Sequence, residues 1–336
     1  MHSRIFICIL LSVLDYEFII KQGGIMDRNL ALEFVRATEA GAIAAARWMG
    51  KGDKNSADAA AVDEIRSRLN SINFSGKIVI GEGEKDEAPM LYTGELVGSG
   101  GVEFDIAIDP LEGTTGVEKG KGNSLSVLAA APRGCLLSVP GTYMDQLCVG
   151  PKVKGVDINA SPSDNINIVA ESLGKDVDEI TVCILERDRH AQLIKDVRKA
   201  GARVALIEYG TITAGIATCV DDSGIDIMMG VGGAPEAIIT AAALKTLGGD
   251  MQAVLKPHKP KFLEQAQDMG FDDLDIVYNI DDLAQGDSCM FAATGITDGP
   301  FLKGVVFSGK KITTHSAVMR QKSGTIRWIQ ADHNCE

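Results

Sequence analysis

The twelve residues DIAIDPLEGTTG, Asp105 to Gly116, limit the fold more than any other stretch. Asp105-Ile106-Ala107-Ile108 reads as a buried strand, and it ends on two carboxylates, Asp109 and Glu112, that straddle Pro110. The proline fixes one backbone torsion and removes an N–H donor. Gly113 then lets the chain approach a partner closely. A strand that ends this way is expected to hold something positive between its acids, at the C-terminal mouth of a sheet.

A chain of 336 residues, 45% hydrophobic and 24% charged, has room for one large or two ordinary domains with real cores. Aromatics make up only 5%, which favours buried strands and close helix–sheet packing over an aromatic-rich binding module. A net charge of −13 argues against nucleic acid or anionic membrane as the main partner. A phosphorylated substrate stays open if metal ions reverse the sign locally. The seven cysteines are odd in number and dispersed, with no CxxC or Cys/His ligand spacing, so zinc and haem attachment are not expected. They read as small core residues in a reducing, cytoplasmic compartment.

The first 25 residues need a decision of their own. Ile5 to Leu14 is an apolar run behind His2 and Arg4, too short to span a bilayer and without a small-residue cleavage site before Asp15 and Glu17. KQGGIM can be encoded by AAA-CAG-GGA-GGA-ATT-ATG, a purine-rich ribosome-binding sequence just upstream of Met26. Translation is therefore expected to begin at Met26, with residues 1–25 an untranslated extension.

Leu30 to Trp48 reads as an alanine-rich helix ended by Gly50 and Gly52. A second helix, capped by Asn55 or Ser56, runs through ADAAAVDEIRSRL. KIVIGEGE, Lys77 to Glu84, is a strand that breaks into an acidic turn. NSLSVLAAA and YMDQLCVG are strands expected to pair antiparallel, since no helix fits between Val127 and Met144. After about Asp164 helices and strands alternate as far as APEAIITAAALKTLGG, the rhythm of a sheet with helices on its faces. The tail from Ser288 to Gln330 returns to strands. The expected organisation is two packed halves, residues 26–165 and 166–333, joined near residues 150–175.

Acids collect at the ends of elements: Asp58 on the second helix, Glu82 and Glu84 after KIVI, Asp109 and Glu112 around Pro110, Glu236 after GVGGAP. Oxygen ligands on short, rigid turns suit hard divalent cations. Without a cation, carboxylates held so close raise one another's pKa. Any one acid could be a cap or a solvated turn, the ordinary reading for Glu84 and Asp86. That reading explains neither Pro110 nor the Gly-Thr that follows. Gly113-Thr114-Thr115 and Gly230–Ala237 both offer backbone N–H groups to an anion. Thr114 adds a hydroxyl able to orient water. Two glycine-rich turns with carboxylates at their lips describe metal-assisted phosphoryl transfer to water. Arg187 and Arg189 in LERDRH could clamp a second phosphate, and Lys54 could meet the reacting one. Tyr143 serves as a ligand contact or a strand aromatic. His190 and His315 lack a paired acid or metal spacing and read as structural.

The motifs RWMGKGDKNSADAAAV, IVIGEGEKDEAPMLYTGE, DIAIDPLEGTTG, YMDQLCVGP, GVGGAPEAIITAAAL and ATGITDGPFLKGV together resemble class II fructose-1,6-bisphosphatases. These belong to the lithium-sensitive, metal-dependent phosphatase superfamily, and the resemblance runs from Met26 to about His333. It implies an α/β fold, a layered α-β-α-β-α sandwich with mixed sheets. The activity implied is hydrolysis of the 1-phosphate of fructose 1,6-bisphosphate in gluconeogenesis, in a homodimer or homotetramer. By motif match, Asp58 and Glu82 would hold one Mn²⁺ or Mg²⁺, and Asp109, Glu112 and Glu236 a second. Thr114 would position the attacking water, with Asp109 and Glu112 beside it as catalytic acids. Glu112, Gly113, Thr114 and Gly233 would lie against substrate, and Tyr143, Arg187, Asp188 and Arg189 would bind its distal part.

The chain departs from that family pattern at Tyr209-Gly210-Thr211, where two substrate-facing acids usually flank the glycine. Asp188 stands where proline is usual, and Ala59 where glycine is. Glu208 is one residue from the lost acids but on the other face of its strand. The expected damage is to sugar recognition, not to hydrolysis. Sedoheptulose 1,7-bisphosphate is the rival substrate, and a weakly active paralogue that binds a sugar phosphate as a regulator is the rival of another class.

Overall fold

The structure, a computed structural model, describes residues 29–83 and 90–334. The expectations placed on residues 1–25, Glu84 and Asp86 lie outside them. Helix α1 covers residues 29–46 and α2 covers Lys54–Ser71. Strands β1 (Ser75–Ile80), β2 (Leu96–Val97) and β3 (Glu103–Glu112), helix α3 (Thr114–Lys119) and strand β4 (Leu125–Pro132) follow. Next come β5 (Tyr143–Val149), α4 (Pro162–Leu173), β6 (Thr181–Leu185), α5 (Ala191–Ala200), β7 (Arg203–Ile207), α6 (Thr211–Ala217) and β8 (Ile227–Gly233). Helix α7 (Ala234–Leu247), β9 (Asp250–Lys256), α8 (Pro260–Asp268), β10 (Val277–Asn279) and α9 (Ile280–Leu283) lead to the last strands. These are β11 (Met290–Gly295), β12 (Val306–Ser308), β13 (Lys311–Arg320) and β14 (Thr325–Asn334).

The strands form two mixed sheets. One has eight strands in the order β12-β13-β11-β4-β3-β1-β2, with β14 also on β13; the other has six, β10-β9-β5-β8-β6-β7. Alternation along single strands separates the layers. In β4, Leu125, Val127, Ala129 and Ala131 face a central core, while Leu128 and Ala130 face the α1/α2 side with Phe34, Ile65 and Leu69. In the second sheet Met144, Cys148 and Met228 face the same central core, while Leu147, Val149, Val182 and Ile227 pack on α4 and α5. Helices α6 and α7 fill the middle. Ten of the 14 residues of α7 are buried, as a helix between two sheets requires. The order of layers is therefore α-β-α-β-α, as expected. Among the described residues no helix is long and apolar enough to cross a membrane.

The structure corrects two local expectations. β4 and β5 do not pair: β4 lies between β3 and β11, whereas β5 lies between β8 and β9 in the other sheet. The segment between them carries the chain across, and both strands, buried on both faces, read as continuous apolar runs that name no neighbour. The cap of α2 is Asp53, not Asn55 or Ser56. Its carboxylate accepts the Ser56 N–H at 3.0 Å and the Ser56 hydroxyl at 2.6 Å. The chain crosses between the sheets on both sides of residue 165: β5 precedes that point and belongs to the second sheet, while β11 to β14 follow it and complete the first.

Candidate active site

A cleft of about 480 Å³ opens where the ends of β1, β3, β6 and β8 meet the starts of α3, α6 and α7. β3 supplies its floor by an irregularity. Asp109 pairs with Val127 and Glu112 with Leu125, so three steps on β3 oppose two on β4. In a regular strand, residues three apart face opposite sides. The extra residue at this bulge re-aims the second acid, and Pro110, without an N–H, sits where the ladder is interrupted. Gly113 then takes φ 82° and begins α3. A side chain there would meet Tyr209, with a Cβ only 3.0 Å from its Cδ2.

Asp58, Glu82, Asp109, Glu112 and Glu236 all line this cleft. Burial is the larger cause of their shared behaviour, ahead of the mutual repulsion foreseen from the sequence. It raises Asp58 and Glu236, lifts Asp109 well above the carboxylate range, and brings Glu82 and Glu112 to about 8. Repulsion adds to it: Asp109 feels Glu112, Glu236, Glu82 and Asp58 in that order. Asp58 and Glu82 share a hydrogen bond. Glu112 accepts the Ile212 N–H on Oε1 at 3.2 Å, while its buried Oε2 has no hydrogen-bond partner.

Among the described residues no three acids close into a finished coordination shell. The donor set nevertheless fits a hard divalent cation. It is all oxygen, burial raises every one of its acids, Glu82 and Glu112 to about 8, and it includes an orphaned carboxylate atom.

The opposite wall is cationic and aromatic. Arg187 donates through Nη1 to the Glu186 carbonyl at 2.6 Å and through Nη2 to the Glu208 carbonyl at 2.7 Å. Arg189 donates through Nε and Nη2 to the Val231 carbonyl at 3.2 and 2.7 Å, and its guanidinium lies 4.7 Å from the Tyr143 ring centre. Backbone carbonyls thus hold both forks, leaving N–H groups over for a ligand. Thr114, Gly210, Thr211 and Gly233 also line the cleft. Asp188 and Lys54 are exposed and do not line the cleft. Asp188 opens a short 3-10 turn between the arginines and Lys54 is the first residue of α2.

Sequence reasoning missed three contacts. His258 stacks on Tyr143 at 4.2 Å, and its Nδ1 lies 3.2 Å from the Thr142 hydroxyl. His190 accepts the Val231 N–H on Nε2 at 2.8 Å, so its Nδ1–H donates to Leu185 O at 2.6 Å, tying the arginine loop to β8. The Ile212 amide on Glu112 is a backbone contact and left no mark in residue type. Only the Tyr143↔Lys256 register, invisible without the sheet order, would have pointed to His258.

Residues 28–333 match the family model for bacterial fructose-1,6-bisphosphatase, glpX-encoded. The chain is 45% identical over 323 residues to fructose-1,6-bisphosphatase 1 class 2 of Escherichia coli (strain K12), covering 92% of this chain and 96% of that protein. It has the same identity and coverage with the fructose-1,6-bisphosphatase class 2 of Shigella flexneri.

Proposed function

Because the chain belongs to the family of bacterial fructose-1,6-bisphosphatases encoded by glpX, we propose that it hydrolyses the 1-phosphate of fructose 1,6-bisphosphate to fructose 6-phosphate, as a cytoplasmic enzyme of gluconeogenesis. The observation that carries this reading is the polarity of one cleft: five carboxyl groups at one end, Glu112 buried and the others half-buried, and two backbone-anchored arginines at the other. A sugar carrying a phosphate at each end fits that order.

Asp58 and Glu82 would hold one divalent ion, and Asp109, Glu112 and Glu236 another. Bound Mn²⁺ or Mg²⁺ supplies charge stabilisation at the phosphoryl group and an activated water. The protein's own part is orientation. The αL turn at Gly113 starts α3 at the cleft wall, and the Thr114 hydroxyl would direct water towards phosphorus. Arg187, Arg189 and Tyr143 hold the distal phosphate so that the 1-phosphate reaches the acids. A homodimer or homotetramer belongs to this proposal; Ile326 and Trp328, exposed on the outer strand β14, support it.

Phosphate release from fructose 1,6-bisphosphate by the Met26-initiated protein, with Mn²⁺ and with EDTA, tests the proposal. Metal-dependent turnover is expected. Folded, metal-loaded protein that releases none would overturn it, and sedoheptulose 1,7-bisphosphate in parallel measures the preference between the two sugars.

A further inference from the structure

Residues 208–212 form a strap across the cleft. The Glu208 carboxylate pairs with Lys121 at 2.7 Å, and the Glu208 carbonyl accepts from Arg187 at 2.7 Å. The Tyr209 hydroxyl donates to the Gly122 carbonyl at 2.7 Å. The Ile212 N–H reaches Glu112. The Tyr209 ring lies against the two glycines of the catalytic turn: a Cβ at Gly113 would be 3.0 Å from Cδ2, and one at Gly116 would be 2.6 Å from the phenol oxygen. The β7–α6 junction of one sheet thereby grips the β3–α3 turn of the other, and the same strap anchors the arginine end.

Resting on the reading of this cleft as a sugar-bisphosphate site, we propose that Tyr209 is a positioning residue. It sets the Gly113–Thr114 turn relative to Arg187, and so governs turnover more than affinity for the sugar. The phenol has one O–H, and Gly122 takes it. An ionised carboxylate at position 209 has no proton to give a carbonyl and no ring to lay on Gly113 and Gly116. Tyrosine therefore replaces the acid with a different task. The exposed Lys121–Glu208 pair contributes little by itself; the half-buried ring, laid on Gly113 and Gly116, and its hydroxyl carry the strap.

The test compares wild type, Tyr209→Phe and Tyr209→Asp as Mn²⁺-loaded protein on fructose 1,6-bisphosphate. Tyr209→Phe keeps the ring and loses one hydrogen bond, so kcat falls about three- to tenfold with KM within about twofold. Tyr209→Asp loses both, and kcat falls about a hundredfold or more. Unchanged kcat in the Phe variant, together with a lower KM in the Asp variant, would make position 209 a sugar contact and overturn the proposal. Hydrogen exchange in the metal-free proteins supplies a readout independent of substrate. Amides of residues 113–117 should exchange about tenfold faster in Tyr209→Asp while those of α7 stay unchanged; equal exchange at 113–117 would also overturn it. If wild type releases no phosphate, the function proposed above fails while the exchange result still decides the strap. Should the Asp variant not fold, the Phe variant decides by its kcat and its exchange at the same amides.

Discussion

Asp58 and Glu82 share a hydrogen bond, carboxyl to carboxyl, so one of the two holds a proton. Glu82 and Glu112 each titrate at about 8 without a cation. Mn²⁺ requires them ionised, and its uptake at about pH 7 must expel protons. Calorimetry in two buffers of different ionisation enthalpy should show proton release, and affinity should rise with pH up to about 8. The metal-free protein should behave in the opposite way. Its folded-state pKa values lie above the ordinary carboxylate value of about 4.3, so the stability from these groups is complete below about that pH and is lost as pH rises through about 8. A melting temperature in EDTA that climbs from about pH 6 to about pH 9 would contradict this assignment.

Asp109 is half-buried and feels four neighbouring acids. In Asp109→Asn a neutral amide of the same shape replaces a carboxyl whose charged form burial and its acidic neighbours disfavour. Turnover should drop by about three orders of magnitude or more, while the melting temperature in EDTA stays at or above that of wild type. Activity near wild type would remove Asp109 from the reacting centre.

Arg189 spends two of its donors on Val231 and rests on Tyr143. Lysine at this position keeps the charge but has neither the planar fork nor the stacking face. For Arg189→Lys, KM for fructose 1,6-bisphosphate should rise about tenfold, with kcat changed by about twofold at most. A fall in kcat at constant KM would place this side chain at the transferred phosphate instead of the distal one.

Gly215 lets α6 lie close on α7. A Cβ there would stand 2.4 Å from Cγ2 of Thr240, a distance no real pair adopts. Gly215→Ala should therefore cost about 1–3 kcal/mol in chemical denaturation. Because α6 also holds Glu112, the variant should lose turnover beyond the change in folded fraction.

The acidic end of the cleft was legible because carboxylates around a proline and two Gly-rich turns are unusual in sequence. The alternation of helices and strands after Asp164 was legible from its period alone. What escaped depends on partners distant in the chain. Val127 and Met144 sit in runs that look ready to pair, yet Val127 lies beside Ala293 and Met144 between Gly232 and Leu255. The bulge at Pro110 was readable only as a missing donor, although it decides that Asp109 and Glu112 share one face. Tyr209 read as a lost substrate acid, because its acceptor, Gly122, offers only a backbone carbonyl.

The first sheet takes β1 to β4 from early in the chain and β11 to β14 from its far end, with the whole second sheet threaded between. During synthesis, β4 leaves the ribosome with one edge open and waits through more than a hundred residues before β11 can cover it. A nascent chain paused in that interval presents Leu125–Ala131 as a bare apolar edge, the kind of strand that pairs with strangers. Long-range closure of this sort is slow. Yield in the cell should thus be governed by how well that edge is guarded during translation, and co-expressed chaperones should raise the soluble fraction more than any surface substitution.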